Sequence, residues 1–91
     1  MMKHADETDV LVVCRFREWR TVPQIISELQ QVGKEASSAQ VQEYIRALKK
    51  ANLIESQAVP SSQSRLGFEV RKTKSGVRYE LNRDLARVAV A

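Results

Sequence analysis

An α+β fold, three helices followed by a C-terminal β-hairpin, is predicted by three features of the sequence. Two capping-box spacings, Thr21-x-x-Gln24 and Ser37-x-x-Gln40, each precede apolar residues at helical spacing. Gly33 and the short stretch Lys34, Glu35, Ala36 separate those two runs by a turn. Beyond the second run, apolar and polar residues alternate in two stretches on either side of Lys72-Thr73-Lys74-Ser75-Gly76. A chain of 91 residues builds one such core and no second.

The first helix is expected to start near Thr8 or Asp9. Asp6, Glu7 and Asp9 suit the positive end of its dipole, and residues 1–8 are expected to be a flexible lead. Val12, Val13, Phe16 and Trp19 fall at helical spacing, so this helix is expected to reach Trp19 or Arg20, with both aromatics in the core. Thr21 then caps the second helix, Pro23 falls in its first turn, and Ile25, Ile26 and Leu29 form its apolar face. Val32 and Gly33 mark its exit. Ser37 caps the third helix, whose buried side is Val41, Ile45 and Leu48, with Tyr44 on the flank. It is expected to end near Ala51, with Asn52 in the left-handed conformation and Leu53 and Ile54 extended.

Residues 57–64 have loop composition. Leu66, Phe68 and Val70 are then expected on one hairpin strand, and Val77, Tyr79 and Leu81 on its partner. The folded domain is expected to span residues 9–82, with its hairpin region at 55–82 and a tail at 83–91.

The net charge of +4 is unevenly spread. Residues 1–14 carry −2, residues 15–36 carry +1, residues 37–54 carry +2 and residues 55–91 carry +3. A basic second half favours a polyanionic partner. No apolar run approaches the roughly 20 residues that cross a bilayer, and the first nine residues do not read as a signal peptide. Cys14 has no second cysteine to pair with and sits in an apolar run, which reads as a buried structural thiol in a cytoplasmic protein. Catalysis finds little support. His4 is the single histidine, no Cys or His stands at metal-ligand spacing, and no Gly-rich phosphate loop precedes a helix. No cofactor, metal or membrane partner is expected.

Residues 37–56, SSAQVQEYIRALKKANLIES, resemble the recognition-helix stretch of winged-helix regulators of the MarR, ArsR and GntR types. The matching positions are Ser37, Val41, Ile45, Leu48, Lys49, Lys50, Leu53 and Ile54, with Asn52 where those families usually have Gly. Thr21 to Leu29 resembles the preceding helix of those families, and Gly76 to Leu81 resembles the returning wing strand. The resemblance covers residues 10–82 and implies a three-helix winged helix-turn-helix that binds duplex DNA, as transcriptional regulators do.

The residue chemistry fits that implication. A helix enters the major groove of B-DNA, where its early exposed positions reach base edges. Here those positions are Ser37, Ser38, Ala39, Gln40, Gln42, Glu43 and Arg46. Gln suits adenine, Arg suits guanine and Ala meets a thymine methyl. Gln40 is shared with the capping box, which leaves Gln42 freer. Glu43 has two roles open to it: accepting from a cytosine amino group, or orienting Arg46 at i+3. Lys49 and Lys50 suit both phosphate contact and the negative end of the helix dipole. Arg71, Lys72, Lys74 and Arg78 are expected around the hairpin tip, where they would meet phosphate or the minor groove, or keep an exposed edge soluble.

A homodimer on a two-fold site is expected to use the apolar tail and the first helix. The other reading of the same fold is a protein-interaction module with no DNA partner, working through the N-terminus, the serine-rich loop and the tail.

Overall fold

A computed structural model describes the backbone of residues 2–59 and 67–90, and the side chains of those residues up to 85. The elements run β1 (Lys3–His4), α1 (Glu7–Val13), α2 (Val22–Gln31), β2 (Lys34–Glu35), α3 (Ser38–Lys50), β3 (Ile54–Ala58), β4 (Phe68–Lys72) and α4 (Lys74–Val90).

α1 is set by a capping box at Asp6 and starts at Glu7, one or two residues earlier than expected. The Asp9 N–H donates to Asp6 Oδ1 at 2.9 Å, and the Asp6 N–H donates to Asp9 Oδ2 at 2.9 Å. The bond from the Asp9 backbone holds the Asp6 carboxyl below its ordinary range. α1 also ends early. Cys14 is extended at φ −69°, ψ 139°, and residues 15–19 bend instead of continuing the helix. The reason is tertiary. Arg20 bridges Val70 in both directions, each N–H donating to the other's carbonyl at 2.8 Å, and Lys72 N–H donates to Arg15 O at 2.7 Å. The segment expected as the end of a helix thus supplies a rudimentary third strand beside β4. Phe16 and Trp19, expected in the core, are half-buried and lie outside it, Phe16 beneath the Arg17 guanidinium and Trp19 beneath that of Arg71.

α2 and α3 follow the sequence reading. Thr21 caps α2 and Ser37 caps α3, each with a reciprocal Gln. Gly33 takes φ +77° after α2, and Asn52 takes φ 63° after α3. The stretch expected as a plain turn, Lys34 and Glu35, is instead β2. It pairs in parallel with β1, and the Ala5 N–H donates to Glu35 O at 2.7 Å. Residues 3–5, expected outside the domain, are tied to its body, and Ala5 is buried.

The hairpin is displaced from its expected position. β3 pairs antiparallel with β4, in the register Ile54 to Lys72, Ser56 to Val70 and Ala58 to Phe68. The two strands are therefore the ones on either side of the connection from Ala58 to Phe68. Residues 60–66, including part of the expected loop and Leu66, lie outside the described residues. The expected return strand, Val77 to Leu81, is helical and belongs to α4. Thr73 opens that helix: its hydroxyl accepts the Gly76 N–H at 3.0 Å and donates to Asn52 O at 2.7 Å.

The core lies where α1, α2 and α3 meet the inner face of β3 and β4. Val10, Leu11, Val22, Ile25, Leu29, Val41, Leu48, Ile54 and Val70 are all essentially sealed from solvent. Each such aliphatic side chain contributes roughly 1.5–3 kcal/mol by leaving water. Cys14 lies among them, and burial pushes its thiol pKa up to about 12. This packing fixes α3 with Val41, Ile45 and Leu48 inward and its opposite face in solvent.

Candidate nucleic-acid interface

The outward side of α3 begins at its cap. Ser37 Oγ accepts the Gln40 N–H at 3.1 Å, and Gln40 Oε1 accepts the Ser37 N–H at 2.9 Å. One end of the Gln40 amide is thereby committed, as its spacing implied. Gln42 is less free than expected. It is half-buried, and its Nε2 donates to Ser38 Oγ at 3.0 Å. Ser38, Ala39, Glu43 and Arg46 are exposed. Glu43 and Arg46 do not pair within 4.0 Å, so the orienting role for Glu43 finds no contact.

A cleft of about 340 Å³ separates α3 from the hairpin. Gln42, Ile45, Arg46 and Lys49 line it from α3, spaced so that one helix face looks across the gap. Ser56 of β3 and Phe68 of β4 line the other wall. Those two wall residues share the inner face of the sheet with Ile54 and Val70, by register. Sequence reasoning missed both. An earlier placement of the hairpin, with Ser56 in a strand rather than a loop, would have found them.

Charge sharpens the picture of this cleft. Among the described residues, Arg46, Lys49 and Lys50 have no carboxylate within 4.0 Å, whereas Lys34, Arg71 and Lys72 each have one and Arg20 has two, Glu18 and Glu28. The unneutralised cations of the helix-turn-helix thus sit along the last two turns of α3. Lys49 and Lys50 occupy the final turn, where the helix dipole also favours them.

The cluster expected at a hairpin tip is not at one. Arg71 lies at the root of the wing, with Nε 2.5 Å from Glu55 Oε1 and its guanidinium 4.3 Å from the Trp19 ring centroid. Lys72 is only 8% exposed, and its ammonium is held by Glu80 of α4. Lys74 and Arg78 are exposed but belong to the start of α4. The error has one cause: the return strand was placed in a segment that is helical. No group of three or more His, Cys, Asp or Glu side chains that could hold a metal occurs among the described residues. No helix among them is long and apolar enough to cross a membrane.

No protein-family model and no curated protein matches the chain. A solved structure does: a PadR family transcription regulator from hypervirulent Clostridium difficile, with a TM-score of 0.71 and 15% sequence identity, covering 93% of this chain and 91% of that one. At that identity the likeness is one of fold. The architecture is therefore α+β and winged-helix, with α2 and α3 as the helix-turn-helix and β3 and β4 as the wing.

Proposed function

We propose that this protein binds duplex DNA and acts as a small transcriptional regulator, with α3 in the major groove and the wing along the adjoining backbone. The observation that carries the reading is the cleft between α3 and the wing, where Arg46 and Lys49 stand without carboxylate partners. An unneutralised cation lined along a groove-sized helix lowers the free energy of a bound phosphate and releases its counterions. α3 has 13 residues and is about 20 Å long, enough to lie across the groove. Ala39, Gln40, Gln42, Glu43 and Arg46 are the candidates for base edges, supported by Ser37 and Ser38 at the helix start. Lys49 and Lys50 are candidates for phosphate. Lys74 and Arg78 remain exposed cations that a longer duplex can reach, while Arg71 and Lys72 serve the protein's own structure. Affinity in this reading comes mainly from α3 and less from the wing root.

Two copies acting together fit the same reading. Val77, Leu81 and Leu85 repeat every four residues along α4 and are 41%, 57% and 59% exposed. Val12 on α1 is likewise exposed at 50%. A two-fold pairing of these surfaces removes them from water and doubles the DNA contact area. The alternative, an assembly module that binds protein and no DNA, draws on the same apolar stripe.

Selection of bound duplexes from a random pool separates the two. The DNA reading expects enrichment of a consensus, with Gln42→Ala and Arg46→Ala each changing it. A pool that stays random, with no binding at low salt, refutes it. In light scattering, Leu81→Glu with Leu85→Glu is expected to turn a dimer into a folded monomer. An unchanged mass removes α4 from the pairing.

A further inference from the structure

A second cleft, of about 460 Å³, opens on the other side of the molecule from the α3 face. Its walls are Phe16 and Arg17 from the bend after α1, Glu55 and Arg71 from the outer face of the wing, and Lys72 and Lys74 at the junction with α4. Glu55 and Arg71 are cross-strand partners on the sheet face opposite Ser56 and Val70, so this cleft and the α3 cleft lie on different faces of the wing. The volume falls in the range of small-molecule sites, roughly 300–1,000 Å³.

Its charge is unbalanced. Four cations converge there against one lining carboxylate, Glu55, and a second, Glu80, that reaches in to Lys72. Arg17 and Lys74 have no carboxylate within 4.0 Å among the described residues, and both are exposed. Thr73 and Lys74 bring the start of α4 to the same wall. The Gly76 N–H is taken by Thr73 Oγ1 and the Val77 N–H by Thr73 O, which leaves those of Lys74 and Ser75 without an acceptor among the described residues. Four side-chain cations, free helix-terminal donors and a half-buried phenyl ring in one concavity match a small ligand with an anionic head and an apolar body.

We propose that this cleft is a binding site for a small organic anion bearing carboxylate or phosphate groups, held by Arg17, Lys74 and the start of α4. The site shares no residue with the α3 cleft, and Lys74 is the one residue it has in common with the DNA reading, where it is only within reach of a longer duplex. Arg71 and Lys72 are held in reserve by Glu55 and Glu80. An anion seated beside Lys72 competes with Glu80, so occupancy is felt along α4.

The test uses the full chain with citrate and, separately, inorganic phosphate as probes, against chloride at matched ionic strength. Calorimetry and amide NMR are the readouts. Saturable binding is expected, with shifts centred on Phe16, Arg17 and Lys74 to Gly76, and with Glu80 shifting as its partner is shared. Arg17→Ala with Lys74→Ala is expected to weaken binding at least tenfold, while Arg83→Ala, farther along α4, leaves it unchanged. A carboxylate ligand is indicated if citrate alone saturates the site, a phosphate ligand if phosphate does. Three results overturn the proposal: no saturation beyond the chloride control, equal weakening by Arg83→Ala, or displacement of the bound probe by duplex DNA. The last would make the cleft part of the DNA surface. Failure to bind DNA leaves this experiment unaffected.

Discussion

Replacing Gly76 by Ala tests the placement of α4 directly. Within a helix, Ala is favoured over Gly by about 1 kcal/mol, so the change should stabilise if the site is open. It is not open. A Cβ at this position falls 2.1 Å from the carbonyl oxygen of Leu53 and 2.8 Å from Lys72 Cγ. The first distance is about 0.9 Å inside the shortest contact a Cβ makes, and the obstacle is backbone, not a flexible side-chain end. α4 must retreat. Overpacking of this kind costs about 1–3 kcal/mol. The retreat also strains the Thr73 N–H bond to Leu53 O at 3.1 Å and the Thr73 hydroxyl bond to Asn52 O at 2.7 Å, each worth about 0.5–1.5 kcal/mol. Set against the propensity gain, Gly76→Ala is expected to destabilise by about 2–3 kcal/mol, a fall of roughly 10–20 °C in Tm for a domain of this size. Urea unfolding followed by far-UV circular dichroism measures it, with Ser75→Ala as the exposed neighbour expected within about 0.5 kcal/mol of the parent. A Gly76→Ala protein as stable as the parent, or more so, would show that the α4 start does not lie against Leu53.

Removing charge from α3 gives a second measurement. Arg46→Ala with Lys49→Ala is expected to flatten the slope of log affinity against log salt by about 2 and to weaken duplex binding about 60-fold near 0.1 M salt, as read by fluorescence anisotropy. An unchanged slope would take both side chains off the phosphates. Asp6→Ala removes half of the α1 capping box and is expected to cost about 0.5–2 kcal/mol in the same urea assay, with no loss if the lead is unstructured. Cys14 gives a pH dependence. Its folded-state pKa is raised from 9.0 to about 12, so the fold favours the neutral thiol. That stabilisation is complete below pH 9.0 and is lost as pH rises through the folded value. Stability of the parent should therefore fall more steeply above pH 9 than that of Cys14→Ala, and parallel curves would contradict the burial.

The helix-turn-helix was legible because its signals are local. Thr21 with Gln24 and Ser37 with Gln40 satisfy orphan backbone donors within three residues, and Gly33 and Asn52 adopt the conformations their chemistry allows. The misreadings have non-local causes. Phe16 and Trp19 continue the helical spacing of α1, but Arg20 is claimed by Val70, fifty residues on, and the chain bends to deliver it. The stretch Val77-Arg78-Tyr79-Glu80-Leu81 satisfies a strand period of two and a helix step of four equally well. Leu85, four residues beyond Leu81, carries the helical signal that extends past the ambiguous window. Gly76 was read as a turn glycine. Its need is for close approach, which sequence cannot distinguish from a need for positive φ. The functional consequence is specific: the cations assigned to a hairpin tip belong to the wing root and to α4, while the unneutralised charge next to the wing cleft is on α3.

The two bonds from Thr73 to the Asn52–Leu53 corner have a geometric consequence. They fasten the end of α3 directly to the start of α4. In a pair of chains joined along α4, the distance between the two α3 helices is then a fixed ruler, set by how the α4 stripes mesh. On DNA, that ruler appears as the number of base pairs between half-sites. Substitutions in α4 that shift its packing by one turn should therefore move the preferred spacing while leaving the sequence of each half-site alone.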